Sequence, residues 1–312
     1  MCIRDRLYIQ GYYFRRPARV AELEAEASSA LARLAGKDLR TEEAFRYNVG
    51  MALIGLRDYP RAIASIERAA ALSAEVYGAR SHDAARGESG LCIAYIGQGD
   101  LSAAIPRCER AATMYREALG PSHPDTALAF LNLGAVAVGA ERIELGCRYI
   151  DESYEVLRTT LAADHAQTLA AESNHARCLS DRGEHAAAAE LLEHTVAVRE
   201  RSLGPDHADV ASALLRLGNA YVGLGAHVRA RAILERALRV QAAANVDPAA
   251  RAEAEVLLAR ALWDGVPGSR RDRERARGLA RSASARLDTV ERRGPRDERL
   301  REIVQRWLHD HG

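Results

Sequence analysis

Apolar residues recur along most of the chain at intervals of three and four, the spacing that places them on one face of an α-helix. In residues 213–240, Leu214 and Leu217 follow this spacing up to a break at Gly225, and a second amphipathic stretch follows around Leu234. This pattern predicts two helices joined by a short turn.

The same helix–turn–helix pattern returns every 42 residues. A small residue marks the first helix of each copy: Gly50, Cys92, Gly134, Ala176, Gly218 and, after 41 residues, Ala259. Another marks the second helix: Ala62, Ala104, Gly146, Ala188, Ala230 and, after an insertion, Ala276. The turn is predicted at Gly55, Gly97, Gly139, Asp181 and Gly223. Small side chains let helices approach closely, and stacking buries the apolar face of each pair.

These positions resemble the tetratricopeptide repeat, most clearly in "LRLGNAYVGLGAHVRARAILERA" at 215–237. The 42-residue period and the linker "LGPSHPDT" at 119–126 are similar to the kinesin-light-chain variety. The resemblance implies an all-α fold, a right-handed superhelical α-solenoid of antiparallel helix pairs.

The repeat frame divides the chain into five parts. Residues 1–16 form an N-terminal segment, and its first six, "MCIRDR", resemble translated sequencing-adapter read-through. Residues 17–40 match the second helix of an incomplete upstream repeat, so we expect the natural start to lie upstream. Residues 41–246 hold five repeats, 247–290 a divergent sixth, and 291–312 a C-terminal capping helix. A partner-binding helix is the alternative interpretation of this last segment. Its apolar residues fall on one face: Leu300, Ile303, Val304, Trp307 and Leu308.

The linker "LGPSHPDTA" at 119–127 returns as "LGPDHADVA" at 203–211. We expect its glycines, Gly120 and Gly204, to end a helix in the left-handed αL conformation. Capping-box spacing predicts N-caps at Ser122 and Asp206, with an aspartate three residues on in each case: Asp125 and Asp209. The recurring histidines are His82, His123, His165 and His207. Neighbouring helices lie about 8–10 Å apart, too far to share a zinc ion at about 2 Å, so these histidines are expected to pack in the joints.

The chain shows no pattern for metal binding or catalysis. His185 and His194 are nine residues apart, which matches no ligand motif, and no nucleophile or phosphate-binding signature occurs. We therefore expect neither an enzyme nor a cofactor. The five cysteines are scattered, which favours reduced thiols in a cytoplasmic protein. A single lysine, Lys37, among many arginines and alanines suggests a bacterial source.

Charge and hydropathy argue against nucleic acid and membrane partners. The formal net charge is +1, and no apolar stretch is long enough to span a bilayer. Residues 269–308 carry 13 arginines against 7 acidic residues. The two signs alternate, and aromatic residues are absent until Trp307, so intrahelical ion pairs are favoured over a nucleic-acid surface.

The remaining candidate site is the concave face, which the first helices would line. At one lining position the repeats carry Asn48, Gly90, Asn132, Asn174 and Arg216, and nearby positions add Tyr47, Arg177 and Asn219. A carboxamide both donates and accepts, so such a column can hold an extended peptide backbone. The kinesin-light-chain resemblance implies this role for Asn48, Asn132 and Asn174. Gly90 and Arg216 depart from the pattern, and ordinary polar surface is the competing interpretation.

The sequence therefore predicts a protein–protein interaction scaffold that holds a peptide segment of a partner. A second hypothesis comes from "LLARALWDGVPGSRRDRERARGLARSASARL", at 257–287, and from "RLREIVQRWLHDH", at 299–311. These segments resemble the C-terminal repeat region of bacterial serine/threonine protein kinases. That resemblance implies a kinase domain upstream and a sensor or docking role for this region.

Overall fold

The computed structural model of the chain describes residues 17–34, 38–243, 248–265, 269–290 and 295–311, so the predicted N-terminal segment, 1–16, lies outside the described residues. All regular secondary structure in these ranges is α-helical. The helices are α1 Pro17–Leu34, α2 Leu39–Gly55, α3 Tyr59–Tyr77, α4 His82–Gln98, α5 Leu101–Leu119, α6 Pro124–Gly139, α7 Ile143–Thr160, α8 Ala166–Asp181, α9 His185–Leu203, α10 Ala208–Gly223, α11 His227–Ala243, α12 Pro248–Gly265, α13 Arg270–Asp288 and α14 Pro295–His311.

The helices pack in consecutive pairs. Contacts group the chain into two units, residues 1–156 and 157–312, and the division falls inside α7. In unit 1, α2 packs on α3 and α4 on α5; in unit 2, α8 packs on α9, α10 on α11 and α12 on α13. In α2 and α3, Glu43 contacts Ser73 while Gly50 lies against Ile66, so the two helices are antiparallel. The predicted all-α array of helix pairs is confirmed. We call α2, α4, α6, α8, α10 and α12 the first helices, and the helix after each its second helix.

Each pair closes on its predicted small residues. A methyl group added at Gly50 would lie 2.3 Å from Ile66 Cγ1, and one at Gly218 would lie 2.4 Å from Leu234 Cδ2. The facing alanines of the second helices, Ala62 and Ala230, are fully buried. Leu234 is also fully buried, which removes a leucine side chain from water and contributes about 1.5–3 kcal/mol.

The buried cores lie between these pairs. In unit 1 one apolar cluster joins α1 to α4, with Leu23 of α1 fully buried, and another joins α4 to α6. In unit 2 the largest cluster extends from Ala176 to Ala276. The helical periodicity of the sequence therefore identifies the buried faces.

The turn inside each repeat has a left-handed residue, but not at the predicted glycine. Positive φ angles occur two residues later: Arg57 at 64°, Gly99 at 82°, Glu141 at 64°, Gly183 at 85° and Gly225 at 69°. These residues follow one another at exact 42-residue steps. The predicted turn glycines are helical, and most of them lie under a side chain of the preceding repeat. Gly97, for example, lies beneath the ring of Tyr59.

The recurring linker histidines cap helices. Nδ1 of His123, His165 and His207 accepts the backbone N–H two residues on, at 3.1, 3.2 and 3.1 Å, to begin α6, α8 and α10. The capping box predicted at Ser122 and Asp206 is therefore wrong, because the helix starts one residue later. The linker before α4 differs from these three: Ser81 is the N-cap there, and His82 is the first residue of the helix.

The linker glycines adopt a conformation other than αL. Gly120 has φ 84° and ψ 167°, and Gly204 has φ 89° and ψ 155°. The φ angles are left-handed as predicted, but the extended ψ angles leave αL and carry the chain away from the helix axis. This region is open essentially to glycine alone.

Buried polar side chains fill the joints between repeats. Arg199 of α9 donates to the Asp209 carbonyl at 2.9 Å. Burial lowers the pKa of Arg199, although Asp209 and Glu172 act in the opposite direction. In unit 1, the equivalent residue is Tyr115, whose ring packs edge-on against His82 and whose pKa is raised by burial. The joints are thus packed and hydrogen-bonded.

The C-terminal helix α14 packs on α12 and α13. Val304 is fully buried there, with Leu300 and Leu308 beside it. Trp307 meets the ring of Trp263 edge-on at 5.5 Å. Ile303 was predicted on the same face but is 42% exposed, because that face is narrower than the sequence suggests.

A disulfide joins Cys92 of α4 to Cys108 of α5, and the expectation that the cysteines are reduced is wrong. Cys92 occupies the small position of its first helix, and Cys108 occupies the facing position, where other repeats have Ile66 and Leu234; the two Cα atoms are 5.0 Å apart. That separation suits a disulfide. The cytoplasmic location stays a prediction that no longer has support from reduced thiols.

Replacement of His207 tests the capping role. We expect His207→Ala to lower the free energy of unfolding by about 1 kcal/mol, because α10 loses an acceptor for its first turn. His207→Asn should retain most of the stability, since asparagine is a good N-cap. Urea unfolding followed by circular dichroism measures both. Equal losses in the two variants would show that the histidine ring acts by packing instead.

Candidate functional site

The seven predicted site residues all lie on first helices, and all are half-buried. Unit 1 contributes Tyr47 and Asn48 from α2 and Asn132 from α6; unit 2 contributes Asn174 and Arg177 from α8 and Arg216 and Asn219 from α10. The predicted residues therefore form two first-helix faces, one in each unit.

Two of the asparagines use their amide nitrogens within their own helix. Nδ2 of Asn48 donates to the Ala44 carbonyl at 2.7 Å, and Nδ2 of Asn174 donates to the Ala170 carbonyl at 3.0 Å. These bonds fix the side-chain rotamers. They leave the carboxamide oxygen of Asn48 as the group available to a ligand, whereas the oxygen of Asn174 accepts from Arg216 at 3.4 Å. The sequence-based expectation that both ends of the amide serve a peptide is therefore too broad for these two residues.

Asn132 differs from the other two asparagines. Its Nδ2 atom is buried and has no hydrogen-bond partner among the residues that the structure describes. A buried amide donor without a partner costs about 1–3 kcal/mol, so a ligand acceptor that reached it would be favoured.

Tyr47 packs against the next first helix. The guanidinium of Arg86 lies 4.5 Å from the centre of its ring, within the range of a cation–π interaction. A methyl group added at Gly90 would lie 3.1 Å from Tyr47 Cε2. The glycine that interrupts the asparagine column thus makes room for the tyrosine of the preceding repeat.

An ion pair between buried Glu43 and Arg86 holds Arg86 in place against Tyr47. Glu43, 2% exposed, accepts hydrogen bonds from Arg86 at 2.7 Å and from Ser73 Oγ at 3.0 Å. Burial by itself lowers the pKa of Arg86, but the charge and hydrogen bond of Glu43 outweigh it, and the net pKa is raised. Arg86 therefore stays protonated and keeps its place over the ring.

In unit 2, Arg216 crosses from α10 to α8. Its guanidinium donates to the Ser173 carbonyl at 2.9 Å and to Asn174 Oδ1 at 3.4 Å. This contact joins two predicted site residues one repeat apart. The structure thus brings Arg216 and Asn174 together as a preformed polar unit.

The other two unit 2 residues flank this contact. Arg177 Nε lies 3.8 Å from Asp181 Oδ2, one turn on in the same helix. Asn219 lies on α10, three residues after Arg216. The face therefore carries two arginine charges, with a carboxylate close to one of them.

The sequence analysis missed a recurring buried carboxylate in the first helices. Glu88 accepts from Arg107 and Arg110, Glu172 from His194 and Thr195, and Glu255 from Ser282 and Arg286. All three are at most 9% exposed. Their spacing of 84 and 83 residues in the repeat frame was the available signal. They tie first to second helices and do not face a ligand.

No group of three or more potential metal ligands comes together in the described part of the chain. His194 contacts Glu172 at 2.9 Å, and His185 covers Gly223 of the next repeat. Both histidines have structural contacts.

Within the described ranges, none of the helices has the length and apolar character needed to cross a membrane.

Comparison with known proteins places these features in a family. A family model described as "Tetratricopeptide repeat" matches residues 83–145, 129–201 and 167–243, just over half of the chain when taken together. No curated protein matches the chain in sequence.

Several solved structures share the fold. A Rap protein complexed with Competence and Sporulation Factor is 15% identical, with a TM-score of 0.64 over 99% of this chain and 83% of that one. The quorum sensor NprR from B. thuringiensis, in its apo form, is 13% identical, with a TM-score of 0.60 over 99% and 80%. BtubC (BKLC) from P. vanneervenii is 20% identical, with a TM-score of 0.55 over 70% and 89%. At these identities the likeness concerns the fold.

Truncation of Arg216 tests the preformed contact in unit 2. We expect Arg216→Ala and Arg216→Met each to lower the free energy of unfolding by about 1 kcal/mol, because both remove the hydrogen bonds to α8. Arg216→Met keeps the aliphatic part of the side chain, so its loss reports the hydrogen bonds alone. Asn219→Ala on the same helix is the control and should stay within about 0.5 kcal/mol of the parent chain. Wild-type stability for Arg216→Met in chemical denaturation would show that the contact contributes nothing.

Proposed function

Because the chain belongs to the tetratricopeptide repeat family, we propose that it is a protein–protein interaction scaffold that binds an extended peptide segment of a partner on its first-helix faces. The family match covers the repeats from which most of the predicted site residues come. The repeats keep the 42-residue step expected from the kinesin-light-chain variety.

The contact between Arg216 and Asn174 carries this proposal. It holds two polar side chains of neighbouring first helices in fixed positions before any ligand arrives. A site whose side chains are already ordered loses less conformational entropy on binding. Such a preordered polar pair favours a binding face over ordinary polar surface.

The fixed rotamers also define what the peptide must offer. The carboxamide oxygen of Asn48 can accept from a peptide N–H, and the buried Nδ2 of Asn132, which has no acceptor among the described residues, favours a carbonyl. Extended peptide backbone supplies both groups without a sequence requirement. The two arginines, Arg177 and Arg216, favour a segment with an acidic side chain beside the unit 2 face.

The fold is known to accommodate a bound factor, since the Rap protein of similar fold was solved in complex with Competence and Sporulation Factor. The kinase hypothesis of the sequence analysis places a catalytic domain upstream and stays a prediction from the resemblance of 257–287 and 299–311. It is compatible with a peptide-binding role for these repeats.

The asparagine oxygens and amides can be tested together. Peptides selected from a phage-displayed 12-residue library against the full chain should bind the Asn132→Ala/Asn174→Ala variant about 5- to 100-fold more weakly, because two hydrogen bonds of about 0.5–1.5 kcal/mol each are lost. Fluorescence polarisation with the selected peptides measures the change.

The matched control is Glu190→Ala, an exposed position on second helix α9, which should leave peptide affinity and melting temperature unchanged. Circular dichroism of the double variant should show full helicity. Unchanged affinity in a folded double variant would remove these asparagines from the binding face.

A further inference from the structure

In several repeats, one side chain covers a glycine at the C-terminal end of the next first helix. The covering residue is the first residue of a second helix: Tyr59 covers Gly97 in unit 1, and His185 covers Gly223 in unit 2. A methyl group added at Gly223 would lie 2.4–2.5 Å from three atoms of the His185 ring. The ring therefore occupies the space that the missing side chain leaves.

The next repeat of unit 2 breaks this rule. His227 is the residue equivalent to His185, and Gly265 is its glycine. A methyl group added at Gly265 would meet Cβ of His227 at 2.8 Å and Cγ at 3.6 Å, without reaching the rest of the ring. A pocket of about 330 Å³ opens here between α11, α12 and the start of α13. Its apolar wall consists of Val228, Ala232, Ala261 and Leu262.

An insertion builds the third side of the pocket. From Ala230 to Ala276 the step is longer than in the other repeats, and α13 begins six residues before Ala276, whereas α11 begins three residues before Ala230. The extra turn of α13 is capped by Ser269 Oγ, which accepts from the Asp272 N–H at 3.2 Å. It places the Asp272 carboxylate 3.5 Å from Arg231 of α11.

The charges around the pocket neutralise one another. Arg231 also pairs with Glu235 at 3.3 Å, and Arg275 pairs with Glu235 at 2.6 Å. Two arginines thus pair with two carboxylates. A charged ligand group would have to break one of these ion pairs. An uncharged ligand group leaves the ion pairs intact, so charge complementarity favours an apolar group.

A further feature identifies what the pocket accepts. Val228 is 78% exposed, more than any other large apolar side chain in the described part of the chain, and it lines the pocket. The pocket thus offers an apolar wall beside paired charges, at the lower end of the usual volume of ligand sites, about 300–1,000 Å³.

We propose that this pocket is a second binding site, separate from the first-helix faces, which takes an uncharged aliphatic or aromatic side chain from a segment of a partner protein. The anchor packs on Val228, Ala232 and Leu262. The volume suits one large side chain with its flanking backbone.

Selection against a filled pocket tests the proposal. Ala232 is exposed, so Ala232→Trp fills the pocket without a change in the core. A phage-displayed 12-residue library is selected on the full chain and counter-selected on Ala232→Trp. The control is Glu190→Trp, the equivalent position one repeat earlier, where His185 already covers the glycine.

We expect a class of peptides with a shared uncharged anchor, such as leucine, methionine or phenylalanine, that bind Ala232→Trp at least tenfold more weakly and Glu190→Trp with unchanged affinity. These peptides should bind the Asn132→Ala/Asn174→Ala variant normally, which separates this site from the first-helix faces. Replacement of the anchor by alanine or lysine should abolish their binding.

Three outcomes would overturn the proposal. The first is a selection that yields only peptides that Ala232→Trp binds as well as the parent chain does, and the second is a selection that yields only peptides with charged anchors. The third is self-association of the parent chain in sedimentation velocity that Ala232→Trp abolishes, which would show that a second copy of the chain fills the pocket. A folded Ala232→Trp variant, with an unchanged melting temperature, is required for each comparison.

Discussion

Close approach of paired helices at small side chains is the constraint on which the rest of the structure depends. Gly50 lies against Ile66, and Gly218 lies against Leu234, at distances that admit no further carbon atom. A side chain at these positions would push the second helix away and open the apolar face that stacking buries. Repetition of the contact keeps each first helix in the same relation to its second helix, so that equivalent residues of successive repeats fall in line within each unit.

That alignment gives the first-helix faces their chemistry. Arg216 reaches Asn174 because the two residues occupy the same position in neighbouring repeats of unit 2. In unit 1, Gly90 occupies the position of Asn48 in the next repeat, and Tyr47, the residue before Asn48, packs against it. The alignment also explains the pocket at His227. In this repeat, α13 carries an insertion and the His227 ring turns away from Gly265. The space that the His185 ring fills one repeat earlier is therefore open. Regularity therefore builds one surface, and a local departure from it builds the other.

The repeat period, the helix pairs and the small contact positions could be predicted from the sequence because each follows from side-chain size and 3.6-residue periodicity. The caps could not: serine and aspartate are the usual N-cap residues, and only coordinates show that His123 and His207 supply the acceptor. The left-handed turn residues include Arg57 and Glu141, which composition does not mark as turn formers. The asparagines lie on first helices, as the sequence predicts. The sequence does not reveal that the amide nitrogens of Asn48 and Asn174 donate to carbonyl groups of their own helices. The Cys92–Cys108 bond was missed because scattered spacing conceals two facing positions of one pair.

Two helix-interior glycines of unit 2 provide the most direct test of the central claim. A methyl group at Gly218 would lie 2.4 Å from Leu234, whereas one at Gly278 on α13 would meet no atom within 4 Å. Alanine normally stabilises a helix by about 0.5–1 kcal/mol relative to glycine. Equilibrium urea unfolding should therefore show that Gly278→Ala stabilises the chain by about that amount. Gly218→Ala should destabilise it by about 1–2 kcal/mol, because overpacking exceeds the gain in helix propensity. Equal stabilisation by both substitutions would contradict the account, since the pairs would then not depend on close approach at the small positions.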